Sequence, residues 1–357
     1  MGWAPKPTTD GRYHARVQAI AKVRPAPGVQ VIDVEEPKVR PGTVKIKVER
    51  ASVCGTDLHI YKWDAWSSGR IKPPRIIGHE FCGTVIEVGE GVTDRKVGDF
   101  VASESHIVDG TCRLCKLGLG HLCENTQILG VDVDGGFAPY AVIPAMNARP
   151  TSATVPKTVA SMQDAIGNAV HTVMAGPVEG QTFLITGLGP IGLFAVAICK
   201  TLGARRVYAT EVSEYRIELA HKLGVDAVIN PVKDDAHKML ATCEPLGVDA
   251  TLEMSGHPGS LELAIDHTRP GGRISLLGLY ADRLRFMDMN KVIFKGLDMQ
   301  GIVGRRLWET WDQMNALFEK GLDLTPIVTH EMHFTEIEKA METLSEGKAG
   351  KIVLSFD

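Results

Sequence analysis

Over residues 16–145 apolar and polar positions alternate in short runs, such as Val44-Lys45-Ile46-Lys47-Val48 and Gly83-Thr84-Val85-Ile86-Glu87-Val88, with Gly and Pro between the runs. A period of two puts the apolar side chains of a strand on one face, so this stretch predicts antiparallel strands and turns. After about Ala169 the period changes. Short apolar runs at residues 182–186 and 207–210 alternate with helical stretches at 191–202 and 215–223. That is the βαβ rhythm of a parallel sheet with helices on both faces. Past Gly304 the pattern predicts a helix over 308–320, a Pro-containing link, a second helix from about Thr335 to Ser345 and a closing strand at 351–355. The predicted fold is α/β: a β-rich domain of residues 1–168 and 305–357, interrupted by a doubly wound domain of residues 169–304.

Length and composition agree with that division. A chain of 357 residues exceeds the size at which one core stops growing. Its 44% apolar and 23% charged residues and net charge of −4 are those of a globular protein. Lys and Arg are scattered, which argues against a nucleic-acid stripe or a polybasic membrane anchor. No apolar run approaches the roughly 18 residues of a membrane span. Residues 1–16 are polar and lack the apolar centre of a secretory signal, so a cytoplasmic enzyme is expected.

The first chemical motif is Gly187-Leu188-Gly189-Pro190-Ile191-Gly192, which follows the apolar run Phe183-Leu184-Ile185-Thr186 and opens a helical one. Between a strand and a helix this spacing predicts a dinucleotide site. Gly187 permits the tight turn, Gly189 lets a pyrophosphate approach the backbone, and Gly192 allows close helix packing, while Pro190 and Ile191 begin the helix whose N-terminus faces the negative charge. Glu211 lies nineteen positions beyond Gly192, just after the next predicted strand, where a carboxylate accepts hydrogen bonds from the adenosine ribose. A carboxylate there repels a 2′-phosphate and favours NAD over NADP; the nearby Arg216 softens that choice.

The second is a metal constellation. Of seven cysteines, Cys112, Cys115 and Cys123 crowd into twelve positions, which in a chain of this type reads as metal ligation rather than disulfides. Cys54, in Cys54-Gly55-Thr56-Asp57-Leu58-His59, and the pair His79-Glu80 after Pro73-Pro74 offer thiolate, imidazole and carboxylate. That mixture suits zinc with a position left open for substrate. Cys82, Cys199 and Cys243 stand alone, and a lone cysteine is usually a small buried apolar residue.

At these residues the chain resembles the zinc-dependent medium-chain dehydrogenases, and among them the branch that oxidises threonine. The residues that carry the resemblance are the run from Cys54 through Trp63-Asp64-Ala65-Trp66-Ser67, then Gly167-Asn168-Ala169-Val170-His171-Thr172, then Gly301-Ile302-Val303-Gly304-Arg305. It implies a GroES-like catalytic domain beside a Rossmann domain. It also implies a catalytic zinc held by Cys54, His79 and Asp164, with Glu80 near enough to enter the shell. The family follows the third acid with Pro-Phe, whereas Ala165-Ile166 follows Asp164 here. Asp57 is expected to accept the free N–H of His79, and Thr56 and His59 to pass the substrate proton outward.

The same resemblance implies a second, structural zinc at Cys112, Cys115 and Cys123, with Asp109 in place of the family's first cysteine. His106 falls where a residue bordering the substrate is expected, or is a structural loop histidine. Arg305 and Trp66 are candidates for holding a substrate's ammonium and carboxylate. The implied reaction is NAD-linked oxidation of the secondary hydroxyl of L-threonine, in a homotetramer with no nucleic-acid or membrane partner. The alternatives are a polyol or diol dehydrogenase with the same zinc and NAD, and a non-catalytic nucleotide-binding protein; Cys54, His79 and Glu80 together argue against the last.

Overall fold

The structure, a computed structural model, describes residues 15–281 and 288–357. Most of the polar N-terminal stretch therefore lies outside the described residues. The first part of the chain is strand-rich: β1 (Arg16–Lys22), β2 (Gln30–Glu35), β3 (Thr43–Val53), β4 (Arg75–Ile76), β5 (Phe81–Val88), β6 (Phe100–Ser103), β7 (His106–Ile107), β8 (Gln127–Ile128), β9 (Tyr140–Pro144) and β10 (Ala148–Pro150). Five short helices intervene or follow: α1 (Gly55–Lys62), α2 (Ala65–Arg70), α3 (Arg113–Lys116), α4 (Lys157–Ala160) and α5 (Gln163–Val173). All pairings among these strands are antiparallel, as the alternation predicts. The alternation is broken at Lys45, which is buried although polar. Its ammonium is ion-paired with Glu36 and lies 5.1 Å over the Tyr140 ring, so burial costs it no partner.

A six-stranded sheet follows, ordered β13 (Ala227–Ile229), β12 (Arg206–Thr210), β11 (Thr182–Thr186), β14 (Val248–Glu253), β15 (Thr268–Leu276) and β16 (Asp298–Gly301), all parallel. Its crossovers carry α6 (Pro190–Thr201), α7 (Glu214–Lys222), α8 (Ala236–Cys243), α9 (Pro258–His267) and α10 (Met289–Lys295). Every residue of β11 is buried because both of its faces are covered. Phe183 and Ile185 join the larger core with α5 and α6, while Leu184 joins a separate one with Tyr208, Leu240 and Leu263.

The chain then returns to the first sheet. After α11 (Glu309–Glu319) come β17 (Val328–His333), α12 (Ile337–Ser345) and β18 (Lys351–Ser355). β18 pairs antiparallel with β3, placing Ile352 beside Val53. β17 and β18 are parallel, joined by α12 as a crossover, an arrangement that strand texture cannot reveal. This return carries the end of the chain to the point where β3 gives way to Cys54.

Candidate active site

Cys54 directly follows β3 and caps the N-terminus of α1, so the strand–helix junction sets its direction. Asp57 reaches back and accepts the Cys54 N–H at 2.9 Å. His79 and Glu80 enter from the other side, just before β5. The turn ahead of them needs Gly78: its φ is 90°, and a Cβ there would sit 2.0 Å from Phe137 Cδ1. One donor atom each from Cys54, His79 and Glu80 lies within 4.8 Å of the others, and His79 and Glu80 are buried. Thiolate, imidazole and carboxylate so gathered fit zinc.

The electrostatics point the same way. Burial disfavours a charged His79, yet the Cys54 thiolate and the carboxylates of Asp57 and Glu80 raise its pKa to about 10. A pocket that holds a proton this firmly presents a negative field suited to a cation. Asp57 Oδ1 stands 3.8 Å from His79 Nδ1, too far for a hydrogen bond, and both buried atoms lack a hydrogen-bond partner. Asp57 thus stands beside His79 but is hydrogen-bonded to Cys54 and not, as expected, to the His79 N–H.

Glu80 is not a bystander to this centre. Lys351 on β18 and the Ser52 hydroxyl on β3 both donate to its Oε2, while Oε1 lies 3.9 Å from His79 Nε2. Burial would raise the Glu80 pKa, but Lys351 and His79 bring it below the ordinary value. Sequence reading passed over Lys351. Its signal was a lysine opening a strand that is otherwise apolar up to Ser355.

The third expected ligand, Asp164, is engaged with other partners. Asp164 lies on the first turn of α5, and its Oδ1 accepts the Ser105 N–H at 2.8 Å and stands 3.0 Å from Arg305 NH2. It is not one of the three residues whose donors converge, and Glu80 completes that set instead. Arg305 is correspondingly unavailable to a substrate carboxylate. Its side chain is 2% exposed and donates to both oxygens of Glu104, to Ser105 Oγ at 3.0 Å and to Asn168 Oδ1 at 3.2 Å. Glu104, fully buried, also accepts the Trp311 indole N–H at 2.7 Å. His106 Nδ1 stands 2.7 Å from Arg305 NH2; a guanidinium only donates, so this nitrogen carries the lone pair.

Thr56 and His59 are three residues apart on α1 and so share a face of it. Thr56 Oγ1 is 3.9 Å from Cys54 Sγ. The His59 ring is 61% exposed, pairs with Asp64 and meets the Trp66 ring edge-on at 6.1 Å. One end of this pair touches the donor cluster and the other reaches solvent.

In the parallel sheet, Gly187 has φ of 86°, and a Cβ on Gly192 would fall 2.1 Å from Gly187 O. A Cβ on Gly189 would meet nothing within 4 Å, so open space fronts the N-terminus of α6, which Pro190 and Ile191 begin. That is a cradle fitted to a pyrophosphate. Glu211 follows β12 and accepts the Leu188 N–H at 2.8 Å on Oε2, and those of Val212 and Ser213 at 2.8 and 3.0 Å on Oε1. It therefore anchors the glycine loop as well as lying where a ribose acceptor is expected. Arg216 NH1 is 3.9 Å from it, and Arg216 Nε is buried without a partner.

Asp109, Cys112, Cys115 and Cys123 converge within 4.8 Å around α3. The Cys112 and Cys123 sulfurs are 3.9 Å apart, and backbone N–H groups of Cys115, Asp109 and Asn125 point at them. The Asn125 amide and the N–H groups of Cys112 and Thr111 hold the Asp109 carboxyl well below its usual range. Three thiols and an ionised carboxylate fit a zinc ion. Cys82 and Cys199 are buried as expected of lone cysteines, but Cys243 is exposed at the end of α8.

Comparison with known proteins follows this geometry. The family described as zinc-binding dehydrogenase matches residues 190–320, and the alcohol dehydrogenase GroES-like domain matches residues 40–153. The chain is 48% identical over 341 residues to an L-threonine 3-dehydrogenase of Thermococcus kodakarensis, covering 95% of this chain and 97% of that one. It is 43% identical over 342 residues to an enzyme of the same name from Aeromonas salmonicida, covering 96% and 100%. Among solved structures, 2R,3R-butanediol dehydrogenase from Bacillus subtilis superimposes with a TM-score of 0.86 at 27% identity, covering 96% and 100%. An Escherichia coli alcohol dehydrogenase solved with NADH gives 0.87 at 28% identity, covering 96% and 99%.

Proposed function

The chain belongs to the zinc-binding alcohol dehydrogenases, among the L-threonine 3-dehydrogenases, and from that premise we propose that it oxidises the 3-hydroxyl of L-threonine to give 2-amino-3-oxobutanoate, with NAD reduced to NADH. The observation that carries the chemistry is the convergence of Cys54, His79 and Glu80. The substrate rests on near-full-length similarity to enzymes of that name. The diol dehydrogenase shares the fold at lower identity.

Bound zinc supplies a Lewis acid that lowers the hydroxyl's pKa, and bound NAD supplies the hydride acceptor. Cys54, His79 and Glu80 would hold the metal; Asp164, expected as the third ligand, is engaged with the Ser105 N–H and Arg305. Asp57 adds negative charge beside His79, and Lys351 keeps Glu80 ionised and fixes its Oε2. Thr56, beside Cys54, takes the substrate proton and His59 releases it to solvent, so no charge is stranded in the buried site. His106, tied to Arg305, borders the substrate, and the exposed Trp66 packs edge-on against His59. Gly187, Gly189 and Gly192 receive the pyrophosphate, Glu211 the adenosine ribose in preference to a 2′-phosphate, and Arg216 flanks that choice.

We assign residues 1–168 and 305–357 to the catalytic domain and 169–304 to the NAD domain, the junction falling within α5. Asp109, Cys112, Cys115 and Cys123 hold a second, structural zinc. The enzyme is read as a cytoplasmic homotetramer; among the described residues no helix is long and apolar enough to cross a membrane. Its subunits would meet near β16, the edge strand of the parallel sheet among the described residues, near which Leu279, Ile293, Phe294 and Val303 stand exposed. Threonine-dependent reduction of NAD, with and without a chelator, tests the assignment. Turnover of sorbitol or 2,3-butanediol with none of threonine would overturn the substrate, and turnover unaffected by zinc removal would overturn the metal.

A further inference from the structure

β14 ends on Glu253, a carboxylate that is 0% exposed and that no motif flags. Neutral donors satisfy it. Oε1 accepts from Ser255 N–H at 2.9 Å, Ser255 Oγ at 2.6 Å, Gly256 N–H at 3.0 Å and Thr186 Oγ1 at 3.3 Å, and Oε2 accepts the Tyr280 hydroxyl at 2.8 Å. Its own carbonyl accepts the N–H groups of Leu277 and Gly278. The two loops that follow β14 and β15 are thereby bound to one side chain. They are packed so closely that a Cβ on Gly278 would lie 2.2 Å from Gly256 N.

The sheet topology says what these loops face. From β11 the chain moves outward through β12 and β13, then returns to β14 on the other side of β11. The crevice of such a sheet opens where the order reverses, at the carboxyl ends of β11 and β14. The glycine loop follows β11, and Glu211 follows β12 on the outer side, so the adenosine half lies there. The loops held by Glu253 lie on the opposite side, and a Cβ on Gly187 would come within 3.0 Å of Ser255. We propose that Glu253 is a positioning residue for the cofactor, shaping the wall of the nicotinamide half of the site through Ser255 and Tyr280. This rests on the reading of the glycine loop as an NAD site. Two carboxylate oxygens accept from five donors here, which no apolar side chain can do.

The test separates the two halves of the cofactor. NADH and ADP-ribose, which lacks the nicotinamide, are titrated calorimetrically into the zinc-loaded full-length protein and its Glu253→Ala, Glu253→Gln and Tyr280→Phe variants. Glu253→Ala is expected to weaken NADH about tenfold or more and to leave ADP-ribose within about twofold. Glu253→Gln should restore most of the loss, because an amide oxygen still accepts from Ser255 and Gly256 while its NH2 donates to the Tyr280 oxygen. Tyr280→Phe removes one of the five side-chain bonds and serves if Glu253→Ala does not fold; it should weaken NADH a few-fold and spare ADP-ribose. Equal losses for both ligands, or unchanged NADH affinity, would overturn the proposal. A wild-type protein that binds neither ligand would overturn the NAD reading beneath it.

Discussion

Gly167 and Arg305 touch so closely that a Cβ on the glycine would lie 2.5 Å from Arg305 Cδ. The guanidinium beyond this contact joins Glu104, Ser105, Asn168 and Asp164. Gly167→Ala is therefore expected to push Arg305 off its partners. Overpacking alone costs about 1–3 kcal/mol, and parting a buried ion pair costs about 3–5 kcal/mol when one charge is left unpaired. Thermal unfolding should show a lowered midpoint, with threonine-dependent activity reduced at temperatures where the variant remains folded. An unchanged midpoint would mean that the side chain relaxes freely, contrary to this packing.

The same contact shows how much was legible in the chain. Gly167 and Arg305 belong to separate runs, each of which stands out in sequence, and nothing in either says that they meet. The clear apolar runs at 182–186 and 351–355 coincide with β11 and β18. The helix expected from Thr335 begins instead at Ile337, after a 3-10 turn at Phe334–Glu336. Cys54, His79 and Glu80 were identifiable because metal ligands are restricted to few residue types. Glu104 and Glu253 were not, because a buried carboxylate is recognisable only beside its partners, and Lys351 left only the faint mark of a lysine opening an apolar strand. Arg305 shows the same: an isolated arginine near a site suggests an anion ligand, whereas Glu104 and Asp164 already claim it.

A pair of histidines away from both metal clusters makes the stability pH-dependent. His267 Nε2 lies 3.1 Å from His237 Nδ1, and burial, then the neighbouring His237, lowers the His267 pKa below its ordinary 6.5. Asp266 opposes that shift, while Lys295 and Lys291 add to it. With the folded pKa below the unfolded one, the unfolded chain binds more protons in the interval between them. Stability should therefore fall as pH drops below about 6.5. Chemical denaturation at pH 7.5 and 5.5 should show a smaller pH loss for His237→Gln than for the wild type; equal losses would exclude this pair as a source.

The structural lobe carries one carboxylate where its three companions are thiols. Zinc is a borderline-soft ion, and exchanging oxygen for sulfur at Asp109 strengthens its hold. The variant Asp109→Cys should keep the second zinc at chelator concentrations that strip the wild type, and Asp109→Ala should lose it sooner. Metal content after graded chelator dialysis reads this directly. A wild type that never holds more than one zinc per chain would show the lobe to be a thiol-lined loop.

Glu211 has two tasks that substitution can separate. Its Oε2 accepts the buried Leu188 N–H within the glycine loop, and in the proposed NAD site its charge would oppose a 2′-phosphate. Glu211→Ala removes both the anchor and the charge. An orphaned buried N–H costs about 1–3 kcal/mol, so the KM for NAD should rise by roughly tenfold or more. Glu211→Gln removes the charge and has one amide oxygen, which accepts either from Leu188 or from Val212 and Ser213 but not from both sets, so its KM for NAD should also rise, though less. Both variants free Arg216, whose NH1 is 3.9 Å from the carboxylate, to face a phosphate. The preference for NAD over NADP in kcat/KM should fall in both, while the alanine variant, which keeps no acceptor, suffers the larger loss from the slackened loop. Initial rates with the two cofactors distinguish these effects, and an unaltered preference in Glu211→Gln would show that the carboxylate's charge does not select the cofactor.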